Sequence, residues 1–515
     1  MIYFILLIIA LLLIGLYFFV LKGKKTKHPF PSFVQGPKSN FIIGNGLDFG
    51  PDNLIKTLKN YPAQYGKFVQ FYLGPIRSIM ITDLEFVKEI FMKRPKKFQR
   101  LQLLNYAANK LGLDSGLFFA ESSTWTRIRK ATTPSFSNLN LSNKYSRLVS
   151  ETFSWVNRLK KQLEDNPNYT FDMKYESFTF TIRTITVVAF GLPTDHPITS
   201  YFFSKGFQQD IEKIFKFMGE SSVWALPRIF WRYSSYYQYE LAGIESSKRF
   251  EQKCQEVIDY KRKLIQESSN PNEQKYFSMI DSLLVTESNV SEKGLIDAEI
   301  IANAKVFYLA GTDTTAVTMS WISYYFALFP ECLRRVREET KTILFQSKDP
   351  LTYPEVLASI DMNKCKELKY SLAVVKETLR LAGPAPTLSF ETVDESFTLS
   401  NGITIEPGDT IWLNQDGIHL DPEVFLEPEK FLPDRWLTKD ILQLNNMEAS
   451  FLPFGFGPRI CPGMNLALQE GVLGIAFLAY FFDFALDCPV SDIIRKCNFV
   501  AIANQMPIKL SIAKH

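Results

Sequence analysis

The stretch FGFGPRICPG, from Phe454 to Gly463, sets one cysteine in a loop built almost wholly of glycine, proline and aromatic residues. Gly455, Gly457 and Pro458 stand just before Cys461, and Pro462 and Gly463 follow it. Glycine has no Cβ, so such a backbone can turn sharply and lie close against a flat ligand. Pro462 removes one N–H and so limits which amides can point at the sulfur. A thiolate inside a protein needs a proton, amide donors or a metal. Two readings of Cys461 follow: a small buried hydrophobe, as most free cysteines are, or an anionic ligand to a metal with Arg459 beside it as a fixed multi-donor cation.

The spacing decides between them. Phe454, Gly457, Arg459, Cys461 and Gly463 spell F-x-x-G-x-R-x-C-x-G. At every fixed position this is similar to the haem-binding signature of the cytochrome P-450 family. The resemblance implies haem b (iron protoporphyrin IX) as cofactor, with Cys461 as axial ligand and Phe454, Arg459 and Gly463 around it. A cysteine axial ligand pushes electron density toward iron and favours O–O cleavage.

Length, charge and cysteines fit that reading. A chain of 515 residues holds two or three average domains or one large enzyme. A net charge of +4 with 22% charged residues points to no nucleic-acid partner. The six cysteines (Cys254, Cys332, Cys365, Cys461, Cys488 and Cys497) form no C-x-x-C pair, as expected in a reducing compartment. Residues 2–21 carry no charge, and about 20 apolar residues span a bilayer as a helix. Lys22, Lys24, Lys25 and Lys27 follow at once, which places the rest of the chain on the cytosolic side. A cleaved signal peptide would want its positive charge in front and a small-residue cleavage site. We therefore expect a transmembrane anchor over 1–21, a basic, Pro-rich tether over 22–37 and a catalytic domain over 38–515.

Within that domain, residues 67–73 and 77–82 alternate around Gly74-Pro75 and predict a hairpin, with Asp83 opening a helix. From about 84 to 380 the apolar spacing is helical. Residues 397–414 return to strands, with a type I′ turn expected at Asn401-Gly402 and a second turn over Glu406 to Asp409. The expected fold is mainly α with small peripheral β-sheets, which is also the fold the resemblance implies, preceded by one N-terminal transmembrane helix.

Further motifs extend the resemblance. Trp125 and Arg129 lie one helical turn apart and resemble the family's haem-propionate binders. The segment 220–240 mixes Trp224, Phe230 and Trp231 with Arg228 and Arg232, suited to a membrane interface or to ordinary helix packing. A helix expected over 298–326 carries AGTDTT at its centre, where Gly311 costs about 1 kcal/mol relative to Ala and the Thr and Asp residues are poor helix formers. That weakness fits either a close helix crossing or a local opening for O2. The motif matches the family's oxygen-activation sequence, which implies that Gly311 adjoins the cofactor and that Asp313 and Thr314 hand on protons. Glu377 and Arg380 in KETLR, with Arg435 in FLPDRW, resemble the structural triad that fixes the cysteine loop. One position departs. Where many members carry Arg or His to grip a propionate, this chain has Ser389, with Glu391 close by; His419 or a water is the expected substitute.

The resemblance implies a monooxygenase that reductively activates O2 and hydroxylates a hydrophobic small molecule, such as one like a fatty acid, sterol or terpenoid. It also implies a single-pass protein of the endoplasmic reticulum membrane facing the cytosol. The chain has no flavin or dinucleotide motif, so electrons must come from another protein, which the resemblance implies is a membrane-bound NADPH-dependent flavoprotein reductase; Arg127, Arg129 and Lys130 fit part of its docking face and, equally, an ordinary solvated helix face. Two other classes compete: a non-oxygenase of the same fold (peroxide isomerase or dehydratase), whose members tend to lose the acid–alcohol pair kept here, and a non-catalytic membrane-anchored haem sensor or carrier.

Overall fold

The computed structural model describes residues 29–40, 43–223, 233–234, 236–267, 278–288, 295–346, 348–351, 355–392 and 395–514, with Leu7, Ile9, Ala10, Leu11, Leu13 and Gly15 near the N-terminus. All but those six positions of the expected anchor, the four lysines after it, and residues 224–232 and 235 of the aromatic segment lie outside the described residues. The six are helical, and Leu7, Ile9, Leu11 and Leu13 are exposed.

The described chain is mostly helical with small sheets at its edge. The expected hairpin forms as strands β1 (Phe68–Leu73) and β2 (Ile76–Ile81), turned by Gly74 in the left-handed region (φ 57°). Asp83 then caps helix α1 (Leu84–Lys97), its side chain accepting from the Glu85 N–H at 3.0 Å. Strands β3 (Phe98–Arg100), β4 (Thr387–Thr392) and β5 (Thr410–Asn414) complete a five-stranded sheet in the order β1-β2-β5-β4-β3. Only the β2–β5 pair is parallel. The turn at Asn401-Gly402 differs from the expected I′ type. Only Gly402 is left-handed (φ 87°), and its N–H bonds to the Leu399 carbonyl at 2.9 Å, making a longer loop between the short strands 397–398 and 404–405. Asp409 closes the second turn onto Glu406 at 2.9 Å as expected.

The helices that frame the interior are α2 (Ser122–Thr132), α3 (Met173–Ala189), α4 (Lys205–Val223), α5 (Asp297–Leu328), α6 (Lys369–Ala382), the short α7 (Gln415–His419) and α8 (Met464–Phe481). Helix α8 is the one described helix long and apolar enough to cross a bilayer, and it is buried in the core instead. Helix α5 runs unbroken through AGTDTT. A Cβ on Gly311 would stand 2.5 Å from Ile185 Cδ1 of α3, so this glycine admits a crossing helix. Of the two readings of this stretch, the close crossing is the one the contact with α3 supports, and that packing holds the helix where its own propensity is weakest.

The triad forms as expected. Glu377 and Arg380 on α6 are both fully buried, and both Glu377 oxygens take Arg380 nitrogens at 2.8 and 3.0 Å. The same carboxylate accepts from Arg435 Nε at 3.1 Å, Trp436 Nε1 at 3.0 Å and the Leu432 N–H at 3.0 Å. Arg380 spends its remaining donors on the carbonyls of His419, Pro428 and Lys430. One carboxylate thereby pins the segment from 419 to 436 against α6. Removing one partner of a buried ion pair strands a charge and typically costs about 3–5 kcal/mol. Arg435→Ala should lower the thermal unfolding midpoint accordingly and raise the aggregated fraction on expression; an unchanged midpoint would show that the Glu377 network does not need its second guanidinium.

Candidate active site

The loop around Cys461 is shaped by two left-handed glycines, Gly455 (φ 75°) and Gly457 (φ 72°). A Cβ on Gly457 would lie 3.0 Å from Met92 Sδ and 3.3 Å from the Phe91 carbonyl, so α1 can close on the loop only over a glycine. The Phe454 carbonyl takes the Cys461 N–H at 2.9 Å, and Leu452 takes that of Gly455 at 3.0 Å. Cys461 is solvent-accessible, yet the protein around it is dense enough that burial pushes its thiol pKa up. The N–H of Gly463, the Arg129 charge and the N–H of Met464 pull the other way, toward thiolate. The two amides and the guanidinium offset part of what burial costs a thiolate at this position.

Four elements bring arginines to this loop. Arg94 ends α1, Arg100 lies on β3, Arg129 on α2 and Arg459 two residues before the cysteine. Among the described residues Glu121, at the start of α2, is the carboxylate that meets three of them: it accepts from Arg94 at 2.7 Å, from Arg459 at 2.5 Å and from the Arg100 N–H at 3.3 Å. Burial and the neighbouring Arg94 hold Arg459 down to about 9, and burial pushes Arg100 well below its usual value. Nε and Nη1 of both Arg94 and Arg459 are buried without a hydrogen-bond partner. Among the described residues the Arg129 guanidinium has no hydrogen bond or ion pair either. This donor set, four guanidiniums against one carboxylate next to a prospective thiolate, fits a metal-bearing ligand with more than one carboxylate of its own.

Trp125 and Arg129 share a face as expected, and Trp125 carries the Arg459 guanidinium 4.6 Å above its ring. Arg127 is engaged elsewhere, bonded to Glu299 of α5 at 2.6 Å, and leaves the expected docking face. Phe136 connects the loop to α5: it packs edge-on to Phe307 at 6.0 Å and stands 3.9 Å from where a Gly463 Cβ would be.

On α5 the Thr314 hydroxyl donates to the Ala310 carbonyl at 2.6 Å, and both residues share one accessible face. Asp313, the next position round the helix, lines a different space, a cavity of about 350 Å³ between α3, α4, α5 and the hairpin 495–503. Lys174, Gln208, Glu212 and Lys216 line it together with apolar side chains including Phe178 and Trp321. Burial pushes the Asp313 carboxyl up to about 7, aided by Glu212 and opposed by Lys174.

Other placements differ from expectation. Gly311 offers its bare side to Ile185, so its missing Cβ serves the packing of α3 on α5. His419 is no carboxylate donor: its buried Nε2 accepts the Leu452 N–H at 3.0 Å, and burial drives its pKa down to about 3, so the ring is neutral. Ser389 has no cation on its own strand; Glu391 beside it takes Gln99 Nε2 at 3.1 Å, and the Arg94 guanidinium lies 4.8 Å above the Phe390 ring. Sequence reasoning missed Arg94, Arg100 and Glu121, because a glutamate before a helix reads as an ordinary match to the helix dipole. It also missed Glu470 of α8, which is buried with Oε1 unpartnered and is pushed up to about 8 by burial, against hydrogen bonds from Thr184 and Thr315.

Comparison with known proteins gives one family. Residues 34–509 match the family described as Cytochrome P450. Among similar proteins, "Probable cytochrome P450 6a23" of Drosophila melanogaster is 26% identical over 457 residues, 86% of each chain. "Cytochrome P450 3A27" of Oncorhynchus mykiss is 26% identical over 93% of this chain and 89% of its own. "Cytochrome P450 4F11" of Homo sapiens is 25% identical over 87% and 84%.

The position of Asp313 makes stability depend on pH. Its folded pKa, about 7, lies above the ordinary 3.8, so its proton contributes stability that is fully present below about pH 3.8 and is lost as pH rises from there through about 7. Asp313→Asn has no such proton to lose. Its unfolding midpoint should gain on the wild type progressively between about pH 4 and 7 and keep a constant lead above that. A gap independent of pH would place Asp313 in water.

Proposed function

Because the chain belongs to the cytochrome P450 family, and so is a haem-thiolate monooxygenase that uses O2 and a redox partner, we propose that Cys461 is the axial ligand of haem b in a microsomal-type enzyme hydroxylating a hydrophobic small molecule. The observation that carries this reading is the Cys461 sulfur, set before the Gly463 and Met464 amides and the Arg129 charge, in a corner where Glu121 takes Arg94 and Arg459 and Arg129 has no ion pair among the described residues. Arg459, Arg129 and Trp125 would hold the haem carboxylates, and Arg94 and Arg100 would supply the positive charge missing at Ser389. Phe454 fixes the loop through its carbonyl bond to the Cys461 N–H, and Gly463 leaves room beside the sulfur.

When bound, the haem supplies the redox chemistry: with two electrons and two protons it reduces O2, placing one oxygen atom in a C–H bond and releasing the other as water. The protein must deliver those protons in step. Asp313, with a carboxyl that titrates near neutrality and a cavity lined by charged residues before it, is placed to take a proton from water at its Oδ and release it again. Thr314 holds its hydroxyl proton on the Ala310 carbonyl; turning Oγ1–H away from that carbonyl presents the proton on the helix face shared with Ala310. Asp313 therefore stores the proton and Thr314 places it.

The membrane reading rests on the uncharged run 2–21, its lysine flank and the exposed Leu7, Ile9, Leu11 and Leu13. Phe33 in the tether and Ile43 and Leu47 just after it are exposed and suit contact with the same bilayer. An anchor there puts the enzyme on the endoplasmic reticulum membrane facing the cytosol, beside an NADPH-dependent flavoprotein reductase.

Two measurements test the reading. Cys461→Ala removes the anionic donor, so the reduced protein should lose the thiolate-shifted CO-difference band that the wild type shows, together with turnover; a variant that keeps the band removes Cys461 from the site. Thr314→Val preserves the branched shape and deletes the hydroxyl. Hydrogen peroxide released per NADPH consumed should rise and product per NADPH fall, by up to the 10²–10⁴-fold that general acid assistance is typically worth, roughly stated. An unchanged ratio would favour the non-oxygenase alternative.

A further inference from the structure

Leu452 begins the segment that leads to Cys461, and both polar atoms of its backbone are held by one turn of α7. His419 Nε2 accepts the Leu452 N–H at 3.0 Å, and Gln415 Nε2 donates to the Leu452 carbonyl. Gln415 and His419 are four residues apart, so their side chains leave the helix on the same face. Both are essentially inaccessible, at 1% and 2% exposure. The Gln415 carbonyl oxygen is buried with no partner, so this amide is held in the core for its donor alone. The turn is anchored in its own right: Asn414 caps it through the Gly417 N–H at 2.9 Å, Asp416 pairs with Arg495 at 2.5 Å, and the His419 carbonyl takes Arg380 at 2.8 Å.

Resting on the haem-thiolate reading, we propose that Gln415 and His419 are positioning residues for Cys461, a two-point clamp on the Leu452 backbone that transmits the Glu377–Arg380 network to the ligand loop. The loop needs an external fixed point because two of its residues are left-handed glycines, whose backbones are the most permissive in the chain. Leu452 is that point. Its side chain is 3% exposed in the cluster with Val87 and Ile418, its carbonyl also takes the Gly455 N–H, and the next carbonyls lead to the Phe454–Cys461 bond. A shift of Leu452 therefore moves the frame from which the sulfur is aimed. The clamp is selective in chemistry: the position of His419 needs an acceptor without charge, and that of Gln415 needs a donor.

The test uses full-length holoprotein, reading the share of the reduced CO complex in the thiolate-shifted band and the rate of haem transfer to an apo-globin acceptor, beside helical content and melting. His419→Phe keeps a ring but cannot accept the Leu452 N–H. It should lose much of the thiolate-shifted band and release haem about 10–100-fold faster, the usual scale for residues that orient a metal ligand. His419→Gln, whose Oε1 can accept in place of Nε2, should restore both. Gln415→Met spares the fold, since Gly455 still bonds the Leu452 carbonyl, and should move both readouts in the same direction by less. Wild-type band share and transfer rate in Gln415→Met, or in folded His419→Phe, would overturn the clamp, as would lower melting of both variants with those two readouts unchanged. A wild-type protein without the thiolate-shifted band would overturn the haem-thiolate reading itself.

Discussion

The buried carboxylate of Glu377 is the constraint on which the site depends. Two guanidiniums, an indole N–H and a backbone N–H converge on it, and Arg380 passes three further bonds to the carbonyls of His419, Pro428 and Lys430. Such a network adds little net stability over a well-packed apolar core, because desolvating the charges offsets most of their attraction. Its value lies in geometry. A carboxylate with every lone pair taken has one arrangement, so the chain from 419 to 436, irregular up to the 3-10 turn at Pro433–Leu437, inherits the rigidity of α6. Through α7 that rigidity reaches Leu452 and the loop of Cys461.

The second organising feature is an imbalance of charge. Arg94, Arg100, Arg129 and Arg459 come from α1, β3, α2 and the loop; Glu121 takes Arg94, Arg459 and the Arg100 N–H, and Arg129 has no ion pair among the described residues. Bringing buried cations together is unfavourable unless anions join them. A ligand carrying two carboxylates, with the Cys461 thiolate, balances the four guanidiniums once Glu121 is counted. The binding of such a ligand and the folding of this corner of the molecule are therefore coupled.

Acids elsewhere show the opposite treatment. Asp313 and Glu470 are enclosed beside α5 with no paired cation, and burial pushes them up to about 7 and about 8. Asp313 meets a cavity with charged residues on its wall, whereas Glu470 meets hydroxyls of Thr184 and Thr315. The first can exchange protons with water; the second ties α3, α5 and α8 together as a neutral acid. Two carboxyls raised by the same cause, one partly buried at a cavity and one fully buried, take different tasks from what lies next to them.

Local chemistry was legible in the sequence wherever neighbours along the chain decide it. Gly74-Pro75 set the hairpin, Asp83 capped α1, and the spacing of Phe454, Gly457, Arg459, Cys461 and Gly463 identified the ligand loop and the family. So did Glu377, Arg380 and Arg435, whose roles are written in two short motifs. What failed was whatever depends on a partner distant in sequence. Gly311 in a weak helix left a close crossing and a local opening both open, and it is the seat for Ile185, 126 positions earlier in the chain, that favours the crossing. The Asn401-Gly402 pair favours a tight turn, and the pairing of its flanking strands imposed a longer loop. His419 looked free to meet a carboxylate and instead holds a peptide 33 residues away. Arg94, Arg100 and Glu121 carry no signal at all until α1, β3 and α2 meet. Spacing along a chain fixes which residues share a face; only tertiary packing fixes what that face touches, and with it which charges are paired, which protons are held and where the sulfur points.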